Sequence, residues 1–500
     1  MLRLVTYFIF IGMLTAMTDA ARPDDWSRTA RQWTPVKWEI PNPDWEGNPF
    51  DVEASVRFSH DETGERHVTG MFYDGEGTWR FRFTGTRPGR WSFTTESGDA
   101  DLDGLTGVVT VEPNPDGVGF VTAQGNTWCR QVGVDRRLEA FVPQFVMYDQ
   151  PAAYHGRADR IDGDIHTFLV EHGFSGFHTY VFCRWFDINE ERSSGVDPDD
   201  PNPDPRTFEA LELLIRKTHA TGGVVHIWVW GDESRHQTPV KWGINGPANR
   251  RLQRYIAARL GPLPGWTMGY GYDLWEWTDG EQLTAWHEYM SEHLGWPHML
   301  GARSFKHSLD QMSEAMDYAS YEQHRPDYAK YVETIERRPE KPAFSEDRFR
   351  IRGRPKDYTM EETRRGLWHS TMAGGVANIW GNLENGMRPG GGSRPYPRPE
   401  WIKTWSRFLE GRFLLGMERR NDLTDGVCLH WPDGPGLVFY REDATEISLD
   451  LSGMDGPLPA IAVDACKPYE ELDLGDLPPE RQTWEAPYAS DWAVAVGRFQ

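Results

Sequence analysis

The sequence predicts an α/β fold, a (β/α)8 TIM barrel flanked by N- and C-terminal antiparallel β-sandwich domains. Three observations lead there. Short alternating strands broken by turn residues come first, strand-like and helix-like stretches then alternate through the middle, and strands alone return after Phe413. A chain of 500 residues exceeds one ordinary domain, and 38% hydrophobic residues with 13% aromatic can fill more than one core.

The first residues, MLRLVTYFIFIGMLTAMTDAARP, combine an early Arg3, an apolar stretch from Leu4 to Met17 and a small-residue site ending at Ala20. This is the pattern of a signal peptide over 1–20, and the apolar stretch is short for a membrane anchor. The expectation is a secreted or periplasmic protein. Residues 27–115 hold DVEASVRF, TWRFRFTG and RWSFTTES, with turns at Asp74-Gly75 and Pro88-Gly89, which predicts the N-terminal sandwich.

The barrel is expected over 120–412. FVPQFVMYD precedes a helix carrying Ile161, Ile165, Phe168 and Leu169; GFHTYVFCRWFD precedes one carrying Phe208, Leu211 and Ile215. VVHIWVWGDES leads to a helix around Leu252 and Ile256, and WTMGYGYDLWEW to one opened by a capping box from Thr278 to Glu281. HMLGARS and DYASYEQ supply strands five and six, KPAFSE the seventh, and GVANIWG the eighth, with Thr359 and Glu362 capping the helix between the last two. Eight such units fit a closed barrel. An open doubly wound sheet fits less well, because no Gly-x-Gly-x-x-Gly follows the first strand. GVCLHW, GLVFYR, EISLDLS, AIAVDAC and DWAVAVG predict a second sandwich over 413–500.

Composition narrows the function classes. With 53 basic against 76 acidic residues the formal charge is −23, which argues against nucleic acid as a partner. The four cysteines, Cys129, Cys183, Cys428 and Cys466, lie far apart and fix no pairing; Cys183 sits in a strand-like run that favours a buried thiol. No Cys-x-x-Cys or His-Glu-x-x-His spacing suggests a metal, and no cofactor is expected. Most of the 23 tryptophans must serve cores, but some are candidates for stacking on sugar rings.

In such a barrel, chemistry gathers at the C-terminal ends of the strands. Glu346 ends strand seven, and Asp273 and Glu276 follow strand four. Two carboxylates facing across a barrel mouth equip a site for glycoside hydrolysis, one donating a proton and the other staying ionised. The plainer reading of any one of them is a helix cap or half of an ion pair. His178, His226 and His324, near strand ends, are candidates for contacts to sugar hydroxyls, and Trp230 ends strand three. Arg184 ends strand two, where a charge-assisted hydrogen bond would orient a carboxylate. Past Glu346, Arg348, Arg350, Arg352 and Arg354 alternate; in an extended chain they share one face. Pairing with the many acidic side chains explains them, and so does a subsite for sulfate or uronate groups.

Larger segments add a resemblance. NPFDVEASVRF, GMFYDGEGTWRFRF, PGRWSFTTES and LTGVVTVEP near the start, KPAFSEDRF and GLWHSTMAGGVANIWG in the barrel, and ISLDLSG, AVDACKPYEE and WEAPYASDWAVAVG near the end resemble clan A glycoside hydrolases, specifically the apiosidase-like group. The likeness implies a carbohydrate substrate, with Glu346 as the nucleophile of a retaining mechanism. It implies a tyrosine bonded to that nucleophile at Tyr321 and an aromatic floor to the sugar site at Trp380. The clan's Asn-Glu at the end of strand four is replaced here by MGYGYDLWEW, so the acid/base is assigned to Glu276, with Asp273 second. A polysaccharide lyase and a carbohydrate-binding protein without chemistry are the competing classes.

Overall fold

The structure is a computed structural model that describes residues 26–43, 45–192, 200–303, 314–322, 326–350, 358–381 and 393–499, without the side chains of Arg348 and Arg350. Eight parallel strands form the central sheet: Gln144–Met147, Gly176–Tyr180, Val224–Trp230, Trp266–Gly271, Leu300–Gly301, Ala319–Tyr321, Ala343–Arg350 and Ala377–Gly381, called barrel strands 1 to 8. Strand 1 pairs with strand 8, and the ladder is continuous except between strands 5 and 6. There Asp317 bridges the gap. Its backbone N–H donates to the Leu300 carbonyl at 2.9 Å, and its carboxylate accepts from the Leu300 N–H at 2.8 Å. The barrel is thereby nearly closed.

Alternation along each strand divides inside from outside. Phe145, Met147, Tyr180, Val224, Trp228, Phe344, Ala377 and Ile379 fill the interior. Val146, Phe177, Val225, Ile227, Met268 and Trp380 face the helices. The N-terminal mouth is plugged by a three-stranded sheet, Val118–Gln124, Thr127–Val132 and Arg137–Ala140. Its Val121 and Trp128 enter the interior core, and the Trp128 indole donates to the Ala343 carbonyl at 3.0 Å.

Local signals explain the helix ends. The helix Met360–Met372 has the expected capping box, with Thr359 and Glu362 bonding each other's backbone N–H groups. The helix Gly280–Leu294 starts one residue later than the sequence suggested: Asp279, not Thr278, caps it by accepting from the Gln282 N–H. Phe168 and Leu169 fall in π-type turns, His166–Glu171, that continue the helix Ala158–Ile165.

The N-terminal sandwich faces a five-stranded sheet against a three-stranded one. One pair within it, Arg28–Arg31 with Thr106–Glu112, is parallel, against the all-antiparallel expectation. Trp38 stacks on Phe81 at 4.8 Å and Phe58 on Phe83 at 4.2 Å in its core. The C-terminal unit is a single six-stranded antiparallel sheet. GLVFYR and EISLDLS belong to one 15-residue strand, Gly436–Asp450, whose register shifts near Arg441 and Ala444. One set of its residues, including Val438 and Tyr440, joins the barrel's outer core, and another, including Phe439 and Ile447, forms a separate core. All four cysteines are free thiols, three of them buried. Burial pushes the Cys129 thiol up to about 11 and the Cys183 thiol up to about 12.

Candidate active site

Strand 7 does not end at Glu346. It continues to Arg350 through a bulge: Ser345 pairs with Asn378, but the next pairing on strand 8 joins Ile379 to Arg348. Glu346 and Asp347 are the extra residues. A bulge at this point turns a side chain out of the regular alternation and kinks the strand. Glu346 is 0% exposed, inside the barrel.

The opposite wall makes room for it. A Cβ on Gly269 of strand 4 would stand 2.7 Å from Glu346 Oε1, closer than such atoms approach, and a tight 3.2 Å from Oε2. Donors surround the carboxylate. The Tyr318 hydroxyl donates to Oε1 at 2.7 Å, His226 Nε2 lies 3.2 Å from the same oxygen, and the Trp228 indole reaches Oε2 at 3.4 Å. Burial, with the charge of Glu346, raises the Tyr318 hydroxyl far above its ordinary range, so it keeps its proton. His226 Nδ1 lies 2.8 Å from His178 Nδ1, and both rings are fully buried.

Arg303, just past strand 5, connects this centre to the outside. It is 6% exposed; it donates to the Glu346 backbone carbonyl at 3.3 Å and to Asp273 Oδ1 at 2.8 Å, and it lies 4.0 Å from Glu322 Oε2. Asp273 takes the left-handed conformation, φ 52°, and turns the chain into the short helix Leu274–Glu276. Glu276 and Trp275 are exposed on that turn. Partial burial of the Glu276 carboxyl, joined by the charges of Asp232 and Asp273, raises it above its ordinary value against the pull of Arg235. The Asp273 carboxylate is committed to Arg303.

Several expected residues take other places. Tyr321 does not reach Glu346: it packs with Tyr331, Ile335 and Val376 outside the barrel. Tyr318, just before that strand, holds the inward place instead. Trp380 is fully buried on the outer face, tilted against Phe349 at 4.9 Å and donating to Gln144 Oε1 at 2.6 Å, so it floors no open site. Trp230 is buried against Phe186 and Trp242. Arg184 is buried too, and gives its guanidinium to the Ile188 carbonyl at 2.7 Å; the guanidinium at the Glu346 strand belongs to Arg303. His178 stands behind His226, not at the mouth. His324, Arg352 and Arg354 lie outside the described residues, and Arg348 and Arg350 are placed only by their backbone pairing to Ile379 and Gly381.

Sequence reasoning missed Tyr318, Arg303, Gly269, Trp228 and Glu322. HMLGARS carried the signal for Arg303, since a charged residue closes that strand as Glu346 was taken to close the seventh. Gly269 left none. Among the described residues no group of three or more His, Cys, Asp or Glu side chains is arranged to hold a metal.

With this geometry in hand, comparisons place the architecture. A family model described as a domain of unknown function, DUF5060, matches residues 29–98. Comparison with curated proteins returns no match. A structure described as a candidate glycoside hydrolase from Bacteroides vulgatus is similar over 94% of this chain and 99% of its own, with a TM-score of 0.71 at 16% identity. One described as a glycoside hydrolase family 5 protein, also from Bacteroides vulgatus, is similar over 76% of this chain and 92% of its own, with a TM-score of 0.56 at 13% identity. Another, described as a glycoside hydrolase, covers 77% of this chain and 98% of its own at a TM-score of 0.57 and 10% identity. Identities this low establish a shared fold, here a barrel with flanking sheets.

Proposed function

We propose that this chain is an exported retaining glycoside hydrolase of the apiosidase-like kind, with Glu346 as nucleophile and Glu276 as acid/base. One observation carries the reading: a carboxylate lies inside the barrel, and among the described residues its oxygens are held by a phenol, an indole and an imidazole, with no guanidinium on them. A carboxylate so held keeps its charge uncancelled, whereas one clamped by arginines is spent on the fold. The fold shared with proteins described as glycoside hydrolases supports the same reading.

In the first step a Glu346 oxygen attacks the anomeric carbon while Glu276 gives its proton to the departing glycosidic oxygen; an ester to the enzyme forms and the glycosidic bond breaks. In the second, Glu276 takes a proton from water, which displaces Glu346 and releases the sugar. The raised Glu276 carboxyl suits the first role. Trp275, 46% exposed on the same turn, offers an aromatic face to a sugar ring beside it. Export follows from the apolar leader, and an anionic glycan from the arginine alternation after Glu346.

The test is a panel of plant and algal oligosaccharides in neutral and sulfated forms, with product analysis. E346A supplied with azide should yield a glycosyl azide of inverted anomeric configuration, and E276A one of retained configuration. Full turnover by E346Q would overturn the assignment, and equal turnover of neutral and sulfated substrates would remove its anionic part.

A further inference from the structure

His178 touches no solvent and is set behind the carboxylate, yet its ring is held in one orientation. His178 meets Trp228 edge-on at 4.4 Å; His226 stacks on Phe145 at 5.6 Å and meets Phe344 edge-on at 4.7 Å. The two imidazoles face each other through Nδ1 atoms 2.8 Å apart, and His226 turns Nε2 toward Glu346 Oε1, 3.2 Å away, and the Tyr318 hydroxyl, 3.3 Å away.

We infer that His178 is a positioning residue: its Nδ1–H donates to His226 Nδ1, fixes His226 as the Nε2–H tautomer, and so anchors Glu346 Oε1, leaving Oε2 as the attacking atom. The inference rests on Glu346 being the nucleophile. An Nδ1–Nδ1 contact this short needs one proton between the two nitrogens. An ionised carboxylate only accepts, so His226 must present N–H at Nε2. A neutral His226 then has a bare Nδ1, and the shared proton belongs to His178. Oε1 thereby holds two short contacts, from Tyr318 and His226, while Oε2 has the 3.4 Å contact from Trp228. The less encumbered oxygen is the better nucleophile.

The decisive measurement does not depend on turnover. In the full chain labelled with 15N-histidine, two-bond nitrogen–proton couplings report each tautomer, and H178N assigns the signals. The expected result is Nε2–H with bare Nδ1 for His226, and Nδ1–H for His178. A His226 protonated at Nδ1, whether alone or together with Nε2, overturns the inference.

Kinetics give a second reading. H178N retains an N–H donor in place and should keep kcat near wild type. H178F removes it and should lower kcat by about 10- to 100-fold, the scale for losing an outer group that orients a functional histidine, with KM little changed. Equal losses in H178N and H178F would mean that only packing matters and would sink the idea. If H178F does not fold, the couplings in the wild type decide. The expected tautomers in a chain that cleaves no glycoside would reject the nucleophile and leave the histidine pair standing. An active chain with the opposite tautomers would reject the pair alone.

Discussion

Three of the enclosed carboxylates, Glu212, Asp491 and Glu346, are satisfied in two different ways. Glu212 holds the N-terminal sandwich to the barrel: Arg82 bonds both its oxygens, at 2.9 and 2.7 Å, and Arg259 adds a further bond. Asp491 holds the C-terminal sheet, accepting from Arg364 at 2.7 Å and from Arg365 at 2.8 and 3.0 Å. Glu346 takes a phenol, an indole and an imidazole instead, and its nearby arginine bonds only its backbone. At the junctions each negative charge is cancelled by two guanidinium groups, which stabilises docking but leaves nothing to react. In the barrel the charge is solvated without being cancelled. That contrast separates two carboxylates that join domains from the one proposed as nucleophile.

Substitution at each type tests the division. E346Q should lose roughly 10⁴-fold or more in kcat, the scale for removing a covalent-catalysis group, while its melting temperature stays level or rises. D491N should do the opposite, destabilising the fold by about 3–5 kcal/mol by leaving the buried Arg364 and the half-buried Arg365 short of a partner, with kcat of the folded fraction intact. A D491N protein that melts normally but is inactive would break the comparison. G269A sharpens it on the barrel side: displacing the carboxylate by part of an ångström should cost about 10²-fold in kcat and little stability. Y318F removes one donor and should lower kcat about tenfold, for the loss of a hydrogen bond worth about 1.5 kcal/mol.

The smallest effect is in pH dependence, and the two kinds of site respond in opposite directions. Burial pushes the Glu212 and Asp491 carboxyls up, but bonds and charges from Arg82, Arg259, Arg364 and Arg365 outweigh it and leave both below their ordinary values. Their stabilisation is present above the ordinary carboxylate range, near pH 4, and is lost as pH falls through the lowered folded values. Acid unfolding of D491N, followed by circular dichroism, should therefore be less steep than that of the wild type. The Glu276 carboxyl is raised, so its useful protonated form persists to higher pH and disappears as pH rises through that value. The alkaline limb of kcat/KM should vanish in E276Q; a limb that stays would mean another group donates the proton.

Most of the architecture was legible in the sequence because it rests on period: strands alternating with helices gave the barrel, and strands alone gave its flanks. The nucleophile candidate was legible for the same reason, as an acid in a late apolar strand. What failed was phase. Tyr321 and Tyr318 are three residues apart in one segment, and only the folded chain decides which faces inward. Trp380 looked like a sugar platform at the end of strand 8, but its strand position turns it toward the helices; it is one of eleven tryptophans, spread over several cores, that are each under 2% exposed. Gly269 was invisible because its contribution is the absence of an atom opposite a residue 77 positions away.

The short sheet across the barrel's N-terminal mouth has a practical consequence for anyone dissecting the chain. Residues 118–140 precede the first barrel strand, and a clone cut close to that strand would start at Phe141. Such a clone would lose Trp128 from beneath Ala343 and admit water from below to the strand that carries Glu346. A working fragment has to begin upstream of Val118, slightly before the start at residue 120 that the sequence suggested.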